Sequence, residues 1–74
     1  MIKELDLVVL TRDIPESGLK AGDVGTIILA HAGGQGFEVE FITLTGDTLA
    51  VITVPSDAVR MVGDREVAHA RQVP

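Results

Sequence analysis

No stretch of the first 62 residues sustains a helical period, and this restricts the chain to β architectures. Short runs of Val, Ile, Leu and Thr alternate instead with breaks containing Gly, Pro and Asp, the pattern of strands and turns. Residues 5–11 (LDLVVLT) form the first run and 24–31 (VGTIILAH) the second. The third, 37–43 (FEVEFIT), alternates cleanly, with Phe37, Val39 and Phe41 on one face and Glu38 and Glu40 on the other. Such alternation predicts an antiparallel strand buried on one side. The fourth run is 48–55 (TLAVITVP), stopped by Pro55. Ser56 then stands as an N-cap for one helical turn over SDAV, and RMV forms a short closing strand.

The breaks have their own chemistry. DIPESGLKAGD is a long irregular loop punctuated by Pro15 and Gly18. AGGQG, residues 32–36, is a turn that tolerates positive φ almost throughout, and LTGD is a tight hairpin turn with Gly46 at a positive-φ site. Five strands in this order predict an all-β fold: a small antiparallel SH3-like barrel with a helical turn before its last strand. Residues 1–62 make the barrel. Residues 63–74 are a tail, either a frayed helix from Asp64 to Arg71 or disordered. A barrel this small must curl sharply, and glycine lets a strand bend where a Cβ would clash. Gly22 and Gly25 are therefore read as the barrel-bend glycines.

Size and composition exclude much. With 74 residues there is room for one domain, and a domain this short cannot enclose a deep catalytic cleft and keep a core as well. The absence of Cys removes disulfides, thiolate metal sites and thiol nucleophiles, and suits a reducing compartment, so a cytoplasmic location is expected. The opening MIKELDLVVL carries early charges and no long apolar stretch, so neither a signal peptide nor a membrane span is expected. Six Lys+Arg against eleven Asp+Glu give a formal charge of −5. The tail is neutral, so the deficit sits on the body, whose cations are Lys3, Arg12, Lys20 and Arg60. That balance argues against nucleic acid and against anionic membranes.

No catalytic or cofactor constellation emerges. A phosphate-binding loop needs Lys and Ser/Thr after its glycines and a helix behind them, whereas Gly25-Thr26 opens a β-branched run. A dinucleotide site needs a βαβ unit that does not fit in this length. Asp13, Glu16 and Asp23 lie in or beside the long loop and read as solvated charges; His31 and His69 are too few and too distant for a metal. No enzyme activity, cofactor or metal is expected.

The segments LDLVVLTRDIPESGLKAGDVGTIILAH, FEVEFITLTGD and TVPSDAVRMV resemble a family of short bacterial proteins, the domain of unknown function 4926, over residues 4–62. The family pattern is an opening Leu-x-Asp-Val-Val, which stands here as Leu5-Asp6-Leu7-Val8-Val9, then the Asp-x-Pro loop, the Leu-x-x-Gly-Asp-Val-Gly-Thr segment, the Val-Glu-Phe strand and the Thr-x-Pro-x-x-x-x-Arg-x-Val close. The resemblance implies an SH3-like barrel and carries no activity. The first half is also similar to the KOW motif of ribosomal and transcription factors, through Asp6, Val8, Leu10, Gly22, Gly25, Thr26 and Ile27, but without that motif's basic residues.

What remains is an excess of aliphatic surface. The chain is 46% apolar with only two aromatics, Phe37 and Phe41. LDLVVL and TLAVITV are apolar on both faces, and a barrel of this size has one interior. The second face is read as Leu5, Leu7 and Val9 on the first run and Ala50, Ile52 and Val54 on the fourth. Large exposed apolar patches mark interaction sites. The expectation is a non-enzymatic protein-interaction module, a homo-oligomer or the small subunit of a bacterial complex. The alternatives are a KOW-like RNA- or ribosome-associated module, and an antitoxin or immunity protein capping a basic partner. Proline-rich peptides are not expected to bind, because the long loop offers no Trp or Tyr.

Overall fold

The computed structural model describes residues 1–74 as one antiparallel sheet of five strands. The strands are β1 (Leu7–Leu10), β2 (Val24–Ala30), β3 (Gly36–Ile42), β4 (Thr48–Pro55) and β5 (Val59–Met61). Three single 3-10 turns, Pro15–Ser17, Ala32–Gly34 and Ser56–Ala58, are its only helical elements, and no helix is long and apolar enough to cross a membrane. The strand order is β4-β3-β2-β1-β5, so β4 and β5 are the two margins.

The connection between those margins curls the sheet. In a flat sheet the outer two of five strands lie about 19 Å apart. Only residues 56–58 separate β4 from β5, and that length of chain spans at most about 14 Å even when extended. The margins must approach, and the inner face closes on itself. Val8, Leu10, Ile27, Val39, Phe41 and Val54 are all buried there, with Leu19 from the long loop and Ala58 from the last 3-10 turn sealing the ends. Each such side chain contributes about 1.5–3 kcal/mol. The curl stays open, however: β4 pairs only with β3, and β5 only with β1.

The expected bend divides into three parts. Gly22 (φ +95°) sits in a turn in which Asp23 N–H donates to the Lys20 carbonyl at 3.0 Å; it redirects the chain before β2 begins. Gly25 is buried where strands press together: a Cβ there would lie 2.5 Å from Val39 Cγ1 and 3.0 Å from the Glu40 carbonyl oxygen. The irregularity inside β2 falls later, between Ile27 and Leu29, where the register with β3 shifts. Gly25 therefore permits close packing, while the bulge at Ile28 re-aims the strand.

Two local expectations change. Ser56 does not cap the last 3-10 turn; Pro55 precedes the turn, and the Ser56 N–H donates to the Gln35 carbonyl at 3.1 Å. The tail from Gly63 to Pro74 forms no helix. Two ion pairs tie it to the body: Arg60 to Glu66, and Arg71 to Asp23.

Candidate functional site

Register decides which side chains face outward, because residues directly opposite in an antiparallel pair share a face. Phe37, Val39 and Phe41 point into the core, and their partners across the β3–β4 hairpin are Val54, Ile52 and Ala50. The face expected to be free on β4 is thus its inner face. Val54 is fully buried, Ile52 packs against the core and Ala50 is half-buried. The outward residues are Leu49 and Val51, 42% and 53% exposed. TLAVITV has no alternation of its own to mark them. The clean alternation of FEVEF, carried across the hairpin, is the signal that places them.

On β1 the expected face is divided. Leu7 is 53% exposed, but Val9 is only 6% exposed, between its cross-strand neighbours Val24 and Arg60. Leu5 precedes the strand with its side chain 82% exposed. Its φ of +74° is one that L-residues rarely adopt. Three hydrogen bonds hold it there. Leu5 N–H donates to the Ile27 carbonyl (2.8 Å), Asp6 N–H to the Lys3 carbonyl (3.1 Å), and Lys3 N–H to Asp6 Oδ2 (2.9 Å). The backbone bond to Lys3 and its ammonium contact lower the Asp6 pKa. The turn presents a leucine to solvent where a glycine would be unstrained.

The outer surface is consequently two apolar flanks separated by a polar strip. One flank carries Leu5, Leu7, Ile28 and Leu29; the other carries Ile42, Leu44, Leu49 and Val51. Between them runs the outer face of β3. Glu40 accepts a hydrogen bond from Thr48 Oγ1 at 3.0 Å. Glu38 accepts one from Thr53 and meets His31 Nε2 at 2.7 Å. The Thr53 hydroxyl first, and then His31, depress the Glu38 pKa. His31 reads from sequence as a lone surface residue, and the sheet gives it this partner.

The β4 flank ends in an unpaired strand edge. The bond from Ser56 N–H to Gln35 identifies 35/56 as a hydrogen-bonded pair, and by alternation 37/54, 39/52 and 41/50 follow. The N–H and C=O groups of Val51 and Thr53 therefore point away from β3, and no backbone bond outside the β3 ladder reaches them. A bulge between Phe41 and Ile42 bounds the regular stretch at one end, near Leu49, and Pro55 bounds it at the other.

The charged loop residues have structural partners. Asp13 Oδ1 accepts the Ala21 N–H at 2.9 Å. Asp23 accepts the Lys20 N–H at 2.8 Å and Arg71 Nε at 2.9 Å. Arg71 holds the Asp23 carboxyl below its ordinary pKa. The tail walls a groove of about 520 Å³ whose lining includes Leu19, Phe41, Leu44 and Leu49. Glu66 takes both guanidinium nitrogens of Arg60, at 2.8 and 2.7 Å, and its pKa falls to about 2. No group of three His, Asp or Glu side chains is arranged to hold a metal ion.

The model of the family described as Domain of unknown function (DUF4926) matches residues 4–61, which run from the strained turn to the end of β5. No curated protein and no solved structure matches the chain.

Proposed function

The chain belongs to the Domain of unknown function (DUF4926) family, and we propose that it is a non-enzymatic protein-interaction module of the bacterial cytoplasm, working with its own copies or as the small subunit of a complex. The observation that carries this reading is Leu5. A strained backbone persists only where its surroundings impose it, and such outliers cluster where function needs a side chain presented. Here three hydrogen bonds hold a large apolar side chain in solvent, beside exposed Leu7.

The electrostatics favour a protein partner over RNA. Arg12 is paired with Asp57, Arg60 with Glu66, Arg71 with Asp23 and Lys3 with Asp6. These pairs leave Lys20 and Arg65 as the cations without an ion-pair partner, and phosphate binding depends on free cations. The lack of Cys suits a reducing compartment.

The test is native mass spectrometry after mild affinity purification from a cell that carries the gene. The wild-type chain is expected in an assembly of defined stoichiometry. A Leu5→Glu/Leu7→Glu variant with an unchanged circular dichroism spectrum should emerge in a smaller assembly, without what the β1 flank holds. Recovery of both proteins as bare monomers would refute the reading.

A further inference from the structure

We infer that the free edge of β4 is an interface for a second copy of this chain, with the two β4 strands pairing antiparallel about a two-fold axis at Ile52. This inference rests on the interaction reading and assigns it a surface and an occupant.

The first support is the contrast between the two margins. Unpaired strand edges invite pairing with another chain, and proteins blunt them by shortness, charge, Pro or bulges. β5 is blunted: it has three residues, carries Arg60, and Arg60 Nη1 occupies the Met61 carbonyl at 3.0 Å. β4 is eight residues long and has no charged residue from Thr48 to Pro55. Its bulge and its proline lie only at the two ends, and Ala50–Val54 between them stays regular.

The second support is that β4 is where a second copy can approach without like charges meeting on the paired strands. Each copy carries −5, so two copies repel over most of their surfaces. A contact with itself needs a patch that is neutral on both sides, and β4 supplies an uncharged strand edge. The charges next to that edge stand one strand further in. The nearest carboxylates are Glu38 and Glu40 on β3, opposite Thr53 and Val51, and with the axis at Ile52 those of the two copies lie three strand spacings, about 14 Å, apart. That lies beyond the screening length of about 8 Å at physiological ionic strength. Asp57, beyond Pro55, is already neutralised by Arg12.

The geometry of the pairing follows. Val51 of one copy lies opposite Thr53 of the other, and these are the residues whose N–H and C=O groups point outward. The pair of strands gains about four backbone hydrogen bonds. Half-buried Ile52 meets its own counterpart and covers the rim of each core. The two five-stranded sheets become one continuous sheet through the only strand that lacks internal protection along its length.

Sedimentation equilibrium from about 5 to 500 μM tests this, with the wild type, Val51→Lys, Leu7→Glu and the charge control Glu16→Lys. The wild-type mass should rise from monomer to dimer with concentration, and the dimer should strengthen with added salt. Val51→Lys places two cations diagonally across the axis and should move the midpoint at least about tenfold higher. Glu16→Lys and Leu7→Glu should leave it in place. A wild type that is monomeric throughout overturns the inference, as does a dimer indifferent to Val51→Lys. Dispersal by Leu7→Glu alone would also overturn it while leaving the interaction reading standing, because association would then run through the other flank. A monomer whose β4 edge captures a strand of a different protein overturns the second copy as occupant.

Discussion

The strands β4 and β5 end the same sheet and are treated in opposite ways. β5 is short, charged and capped by its own arginine, and the tail that follows is tied back through Glu66. β4 is long, neutral and bare, flanked by exposed Leu49 and Val51. One chain thus contains both the device that prevents edge pairing and its absence. The difference teaches that the bare margin is not a limit on what a small sheet can protect.

Substitutions sharpen that contrast, beginning with one that removes the frame on which both margins depend. β2 joins the β1–β5 half to the β3–β4 half, and Gly25 lets it press against Val39 and Phe41. Gly25→Val should cost about 3 kcal/mol, seen as a lower denaturant midpoint. The amides of β4 and β5 should then unfold in a single transition; separate midpoints would mean that the margins are independent. Next, Arg60→Val strips the defence from β5. The variant should associate beyond a dimer, with onset at roughly tenfold lower concentration by light scattering. Unchanged scattering would show that the guanidinium protects nothing.

A smaller effect is expected at the strained turn. Leu5→Gly relieves the positive φ and loses almost no buried surface, so it should raise stability by about 1 kcal/mol in urea denaturation. It should also weaken association through the β1 flank. Destabilisation would show that the leucine supports the fold instead.

The smallest effect is acid release of the tail. The Glu66 pKa is lowered to about 2 from an ordinary 4.5. A depressed carboxylate stabilises the folded arrangement fully above its ordinary value and loses that contribution as the pH falls through the folded one. The contact between Arg60 and Glu66 should thus persist at pH 5 and fade as the pH approaches about 2. Carboxyl carbon shifts in an NMR titration report it. A Glu66 that titrates near 4.5 would show that the pair is not made.

The order of elements was legible in the sequence because its signals are local. The β-branched runs, Pro55 as a stop and Gly46 at φ +97° all act within a few residues. The same holds for the alternation of Phe37 to Phe41. What depended on distant contacts was hidden. Strands β1 and β4 are apolar on both sides, so their inner faces are chosen only by register with their neighbours. That choice placed Val54 in the core and left Val51 outside. Val9 is covered by cross-strand neighbours from β2 and β5. The tail's path depends on Arg71 reaching an aspartate 48 residues earlier, which no local propensity encodes. The positive φ of Leu5 is likewise imposed by a bond to Ile27.

The most direct test of the bare margin is amide hydrogen exchange at Val51 and Thr53, followed against protein concentration. In dilute solution both amides should exchange as freely as those of an exposed strand edge, while those of Ile52 and Val54, bonded to β3, stay protected. At concentrations where the mass doubles, Val51 and Thr53 should become protected as well. Free exchange of these two amides at every concentration, or protection already complete in the dilute monomer, would contradict the account.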